Sequence, residues 1–395
     1  MTDFTKTRAA FDLPQGITYL DGNSLGPMPA AATRRVARMM AEEWSQMLIT
    51  GWNKAGWYVQ PRKVGDRIAR LIGAGAGEVV MGDTLSIKVF QALSAALALR
   101  PDRRVILSDS GNFPSDLYVA QGLARAMGAT LRVVAPEEVE AAIDDNLAVL
   151  MLTEVDYRSG RRHDIAALTA RAHAAGALAI WDLAHSAGAV DVDLLGADAD
   201  FAVGCTYKYL NGGPGAPAFI WTHPRHAEAA EPILQGWMGH AAPFAFDQEY
   251  RPAPGIERMR VGTPPVIALT ALDAALDVWD GVSMADLRAR SVELTEAFIS
   301  GVEVNCPELR LASPRDPAMR GSQVGFRHPH GYAVMQALIA GGVIGDFRAP
   351  DILRFGFAPL YNDLDDVARA VDVLARVLRD GNWDDEVFHQ KAAVT

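Results

Sequence analysis

The sequence predicts an α/β protein: a large domain built on a mostly parallel sheet covered by helices, plus a smaller α+β C-terminal domain. Three observations carry this. From residue 78 to about 222, short apolar runs alternate with helical stretches, the pattern of strands joined by crossover helices. Several runs are apolar throughout rather than at every second position, as strands buried on both faces require. The chain has 395 residues, half of them hydrophobic, enough for one large core and a smaller second one.

The predicted strands are Glu78–Gly82, Arg104–Leu107, Thr130–Ala135, Leu147–Leu152, Ala177–Trp181, Asp200–Cys205 and Ala216–Trp221. Helical patterns over Val89–Leu99, Leu117–Met127 and Ile165–Ala175 lie between them. Residues 1–75 read as an extended arm followed by two helices, roughly Ala30–Met47 and Arg62–Ile72, expected to sit with the small domain. The large domain is expected over 76–282 and the small one over 283–395. Two Pro-rich loops, Arg251–Ile256 and Gly262–Pro265, lead into a helix over Val266–Trp279. The last helix, Leu364–Leu378, carries Leu364, Val367, Val371, Leu374 and Leu378 on one stripe and must pack on something.

A net charge of −11 argues against nucleic acid and anionic membrane surfaces as partners. The two cysteines, Cys205 and Cys306, stand in unrelated contexts, which excludes a disulfide framework and fits a reducing compartment. The stretch MTDFTKTRAAFDLP lacks the apolar core of a signal peptide, and no run of about 18 apolar residues exists for a membrane span. A cytoplasmic protein is expected.

In parallel sheets ligands sit beyond the C-terminal strand ends, so the residues there matter most. Lys208 is one of six lysines and the only one between Lys88 and Lys391. It follows the apolar run FAVGC and precedes the turn NGGPG. It is either a surface lysine leaving a strand or a Schiff-base lysine, whose amine must be neutral to attack an aldehyde and is made so by burial. Asp182, after ALAIW, is either a helix cap or the carboxylate that keeps a pyridine nitrogen protonated. His185 is either a satisfied core histidine or a neighbour of the same ring. Thr84 and Ser86 open a helix, whose free N–H groups either are capped by them or bind a phosphate. In GNFPSDLY, Phe113 could stack on a planar cofactor, while Ser115 or Asp116 begins the next helix. The shared position of these elements after successive strands points to pyridoxal 5′-phosphate (PLP).

YLDGNSLGPMP (19–29), GNFPSDLY, WDLAHSAG (181–188), TYKYLNGGPG (206–215), QGWMGH (235–240), RVGTPPVIAL (260–269) and LRFGFAPLYN (353–362) together resemble kynureninases, in order and over nearly the whole chain. The resemblance implies fold type I of the PLP-dependent transferases and a bacterial-type enzyme of tryptophan degradation. It would cleave L-kynurenine, and 3-hydroxykynurenine more weakly, to anthranilate and L-alanine. It assigns Lys208 to the Schiff base, Asp182 to the pyridine nitrogen and Phe113 to ring stacking. Leu85, Ser86, Ser115, Asp116, Thr153 and His185 become cofactor contacts. Tyr207 lies near the phosphate and takes part in proton transfer. Arg354 holds the substrate carboxylate bidentately, and Asn23 and Ser24 also face substrate. Trp237 and Thr263 reach the cofactor from the partner subunit, so the site is shared across a homodimer.

Vertebrate-type members carry Asn where this chain has Thr263, and a His in the loop that here reads WNKAGW (52–57). Their absence suggests a preference for kynurenine, with Trp57 as an aryl-pocket wall. The rivals are a cysteine desulfurase, an epimerase or aminotransferase, and a catalytically silent PLP-binding regulator. A desulfurase needs a cysteine nucleophile on a mobile loop. Cys205 sits in a strand, and Cys306, in VNCPEL, has no recognisable catalytic loop.

Overall fold

The computed structural model describes residues 1–391. Its large sheet has seven strands in the spatial order Val79–Met81, Phe219–Thr222, Phe201–Gly204, Leu178–Asp182, Leu147–Thr153, Val105–Asp109 and Thr130–Val134. Phe219–Thr222 runs antiparallel to both neighbours, and the remaining pairs are parallel. Each predicted run contains one of these strands or overlaps it, with ends displaced by at most three residues. The continuous apolar composition has a direct cause. Along Leu178–Asp182, Ile180 packs with helices Leu85–Ala98 and Pro114–Met127, while Trp181 packs with helices Ile165–Ala174 and Val266–Ala275. Successive side chains point to opposite faces, and both faces are covered.

The small unit is a four-stranded antiparallel sheet, ordered Asp346–Arg348, Ile352–Gly356, Gln323–Arg327, Arg310–Leu311. Helices Met284–Asn305 and Leu364–Arg379 close its core around Phe298, Phe326, Phe355 and Phe357. On the last helix Val367, Val371, Leu374 and Leu378 are buried as expected, but Leu364 is 41% exposed. Leu364 directly follows the N-cap Asp363, in a first turn that lies beyond the core; Ala370, Val373 and Val377 widen the buried face instead.

The N-terminal stretch divides its contacts between both units. The arm opens with a short helix, Phe4–Arg8, where an extended chain was expected; Asp3 caps it. Thr18–Tyr19 pairs in parallel with Val343–Ile344 of the small unit. Helix Gln60–Ala69 instead puts Val64 and Ile68 into the large core, against Val79–Met81. The helix predicted over Ala30–Met47 is α-helical to Arg38 and then π-helical over Met39–Met47.

The DGNSLG segment threads between the small unit and the turn after Lys208. Asp21 bridges to Gly356, and the Gly26 N–H donates to the Tyr207 carbonyl at 2.7 Å. Only glycine fits at these crossings. A Cβ on Gly26 would lie 2.2 Å from the Lys208 carbonyl oxygen, and one on Gly356 would lie 1.9 Å from Asn23 Oδ1.

Candidate active site

The C-terminal strand ends surround a cavity of about 310 Å³. It is lined by Leu85, Ser86, Phe113, Ser115, Thr153, Asp182, His185, Tyr207 and Lys208, together with Thr84. Nine residues expected at the cofactor therefore meet at one place, and Asp116 is buried beside Asp182.

Lys208 is brought here by a turn that folds back on its own strand. The Gly212 N–H donates to the Thr206 carbonyl at 2.8 Å, and the Asn211 N–H to the Lys208 carbonyl at 2.9 Å, with Asn211 in the left-handed region at φ 59°. The Thr206 hydroxyl, bonded to the Pro217 carbonyl at 2.7 Å, closes the base of the turn. Lys208 Nζ ends 5.9 Å from the centroid of the Phe113 ring and 5.8 Å from that of Tyr207. It is 2.9 Å from His185 Nε2. On the other side of the imidazole, Nδ1 is 3.0 Å from Gln323 Oε1. Gln323 Nε2 donates to the Asp156 carbonyl at 2.8 Å, which fixes the amide so that its oxygen faces the histidine. Nδ1 therefore carries the hydrogen and Nε2 accepts from Lys208. Burial, aided by the Lys208 charge, holds the His185 pKa well below its ordinary value, so the ring is neutral.

Asp182 is the last residue of its strand and 3% exposed. Its Oδ1 accepts the Ala184 N–H at 2.8 Å, while Oδ2 is buried with Asp116 and Thr153 nearby but no well-formed hydrogen bond among the described residues. The helix-cap and cofactor readings are thus both served, one by each oxygen. Asp116 stands beside it. Burial and the Asp182 charge push the Asp116 carboxyl well above its ordinary pKa. Burial also raises Asp182, against the Lys208 charge. Tyr207 is held above its usual range by the adjacent Cys205 and by burial.

At the phosphate end, Thr84 is the N-cap of helix Leu85–Ala98, but its side chain makes no capping bond. Its hydroxyl is left for a ligand, next to the helix's outward-facing amides. The orphaned Asp182 Oδ2, the uncommitted Thr84 hydroxyl and Lys208 match the pyridine nitrogen, phosphate and aldehyde of PLP.

The remaining expected residues lie outside this cavity. Arg354 is 1% exposed and already engaged. Its Nε donates to Asp346 Oδ1 at 2.7 Å, and one Nη meets both Asp346 Oδ2 and Ser24 Oγ, the latter at 2.8 Å. The other Nη meets the Tyr157 carbonyl. Four of the five guanidinium N–H groups are committed, so the bidentate grip expected for a carboxylate does not fit this arrangement unless a present partner yields. Ser24 donates to Asp346 Oδ2 at 2.7 Å, and Arg348 also pairs with that carboxylate at 2.7 Å. Asn23 is wholly buried behind Gly356. The neighbouring Asp21 carboxyl is pushed up to about 7 by burial and Asp346, against the pull of Arg354. Trp57 packs on Gly51 within its own chain, with Nε1 3.1 Å from Glu43 Oε2. Trp237 is 40% exposed among Phe244 and Phe246, and Thr263 is exposed.

Three contributors escape sequence reasoning. Tyr157 lines the cavity and meets Phe113 edge-on at 5.1 Å, Cys205 forms part of its wall, and Gln323 sets the His185 tautomer from the small unit. Tyr157 follows closely on Thr153, just beyond the end of the same strand, a usable signal. Gln323 lies in a strand remote in sequence and has none.

Comparison with known proteins agrees with this geometry. The family model "Kynureninase C-terminal domain" matches residues 287–374. A kynureninase from Pseudomonas fluorescens is 51% identical over 397 residues, covering 98% of this chain and 95% of the relative. Among solved structures, a cysteine desulfurase from Thermococcus onnurineus NA1 superposes with a TM-score of 0.81 at 19% identity, covering 96% of this chain and 99% of that one. A C-DES variant with glycine covalently linked to its PLP cofactor gives 0.78 at 16% identity, covering 95% and 99%. At such identities these two structures bear on the fold alone, which is fold type I. The near-full-length relative decides the family: the chain belongs to the kynureninases.

Proposed function

We propose that this chain hydrolyses the Cβ–Cγ bond of L-kynurenine, releasing anthranilate and L-alanine, with PLP seated on Lys208. The observation that carries the reading is the convergence of Lys208, His185 and the half-satisfied Asp182 on one cavity at the C-terminal strand ends.

Bound PLP supplies an electron sink for charge developing at the substrate's Cα and Cβ. The chain's own residues do the rest. Asp182 Oδ2 would accept a hydrogen bond from the protonated pyridine nitrogen, and the raised pKa of Asp116 disfavours a second negative charge beside it. Neutral His185 Nε2 accepts a hydrogen bond from Lys208 Nζ and holds it between the Phe113 and Tyr207 rings. With cofactor and substrate in place, the same Nζ would be the base for the Cα proton. Tyr207, protonated across the neutral range, is a donor for the later proton return. Phe113 would stack on the ring, and Leu85, Ser86, Ser115 and Thr153, which line the same cavity, would complete the cofactor bed. Arg354, held by Asp346 and Ser24, would anchor the substrate carboxylate through the Nη that now meets the Tyr157 carbonyl, which must give way to it.

We further place Trp237 and Thr263 in the site of a second copy. Both lie outside their own chain's cavity, on a surface with exposed Phe244 and Phe246, which supports a homodimer. Thr263 and the histidine-free WNKAGW loop support a preference for kynurenine over its 3-hydroxy analogue. Both cysteines are buried, which weighs against the desulfurase reading. Cytoplasmic placement rests on these unpaired thiols; among the described residues no helix is long and apolar enough to cross a membrane.

Incubation of the purified chain with L-kynurenine and PLP tests the reading. Anthranilate fluorescence with equimolar alanine is expected. Consumption without anthranilate, or an intact substrate, would reject it.

A further inference from the structure

Lys88 takes no part in the chemistry above, yet its burial is complete. It lies on helix Leu85–Ala98, with Nζ 2.9 Å from Gln91 Oε1, 2.8 Å from the Met259 carbonyl and 3.1 Å from Asp83 Oδ2. An ammonium has three N–H donors, and these acceptors use all of them. Burial pulls the Lys88 pKa down, and Asp83 pulls it back up. An apolar side chain would fill the same space without that desolvation, so the charge needs a reason.

Asp83 supplies one. It immediately precedes Thr84, in the left-handed region at φ 57°, and its carbonyl accepts the Ala218 N–H at 3.1 Å. A carboxylate this close to the helix end would repel an incoming phosphate dianion unless a cation cancelled it. We propose that Lys88 is a positioning residue for the cofactor phosphate. Its ammonium neutralises Asp83 and clamps the left-handed turn, so that Thr84 and Ser86 face the anion. The inference rests on the reading of Thr84 and Ser86 as phosphate donors.

The test compares PLP with pyridoxal, which has the aldehyde but no phosphate. Each is titrated into the full chain stripped of cofactor, and binding is followed by visible absorbance. Lys88→Met should weaken PLP by about tenfold or more and pyridoxal by about twofold at most, with the difference shrinking at high salt. Adding Asp83→Asn should return PLP binding to within about threefold of wild type, since no lone charge then remains. Equal losses for both ligands, or no recovery in the double variant, would mean that Lys88 only supports the fold. Should Lys88→Met fail to fold, Asp83→Asn alone decides: PLP must bind as tightly as in wild type or more so, and weaker binding overturns the idea. Thr84→Val with Ser86→Ala must weaken PLP and spare pyridoxal. No effect there removes the phosphate reading and this inference together. A loss there, with Lys88→Met unaffected, removes Lys88 alone.

Discussion

Ser24→Ala is the sharpest probe of the substrate end. Ser24 Oγ accepts from Arg354 at 2.8 Å and donates to Asp346 at 2.7 Å, so a single hydroxyl ties the guanidinium to its counter-ion. Hydrogen bonds to charged groups contribute about 1.5–3 kcal/mol each. Both bonds of the hydroxyl are lost, but Arg354 and Asp346 remain directly paired, so the effect on the grip of Arg354 should be that of one charged bond. That corresponds to roughly a ten- to hundredfold rise in KM for kynurenine, with kcat within about threefold, because the contact is made equally in ground and transition states. Ser24→Thr, which keeps the hydroxyl, should recover most of the affinity. Initial rates of anthranilate fluorescence over a wide substrate range give both constants. An unchanged KM, or a fall in kcat alone, would refute the chain of reasoning from Ser24 through Arg354 to the carboxylate.

Three other outcomes are expected. Asp182→Asn should still bind PLP but lose at least about a hundredfold in turnover, because an amide cannot keep the ring nitrogen protonated; activity within a few-fold of wild type would leave Asp182 only its bond to Ala184. Mixed Lys208→Ala and Trp237→Ala chains should recover activity through heterodimers with one intact site. Persistent inactivity, with subunit exchange confirmed by mass, would place both residues in one chain's site. Asp21 has its pKa raised to about 7, so its protonated form stabilises the fold at low pH and that contribution is lost as pH rises from about 4 through 7. Asp21→Asn should flatten this decline, by up to about 4 kcal/mol between pH 4 and 8. Parallel stability profiles for the two proteins, followed by thermal unfolding, would rule it out.

The large sheet was legible because burial on both faces leaves a mark in composition: Leu147–Thr153 is apolar until its final threonine. The cofactor bed was legible because its residues follow strand ends that can be located one by one. What stayed hidden depends on contacts between distant segments. Nothing local announces that Asp346 saturates Arg354, that Gln323 sets the His185 tautomer, or that Trp57 turns inward onto Gly51. The exposure of Leu364 was missed for a related reason, since periodicity gives the face of a helix but not where the neighbouring core ends. The change from α- to π-helix at Met39 has no compositional signature in MMAEEWSQM.

The strap around Gly26 bears on how the protein matures. Among the described residues, Thr18–Tyr19 finds its strand partner only at Val343–Ile344, and Asp21 its bridge only at Gly356. Contacts of such separation carry a large loop-closure cost and form late. The segment that bonds the Tyr207 carbonyl and lies close against the Lys208 carbonyl therefore cannot seat until nearly the whole chain has been synthesised. A nascent chain can assemble the seven-stranded sheet while this brace is still missing. Competence to retain the cofactor should appear in the last stage of folding, after release from the ribosome rather than during elongation.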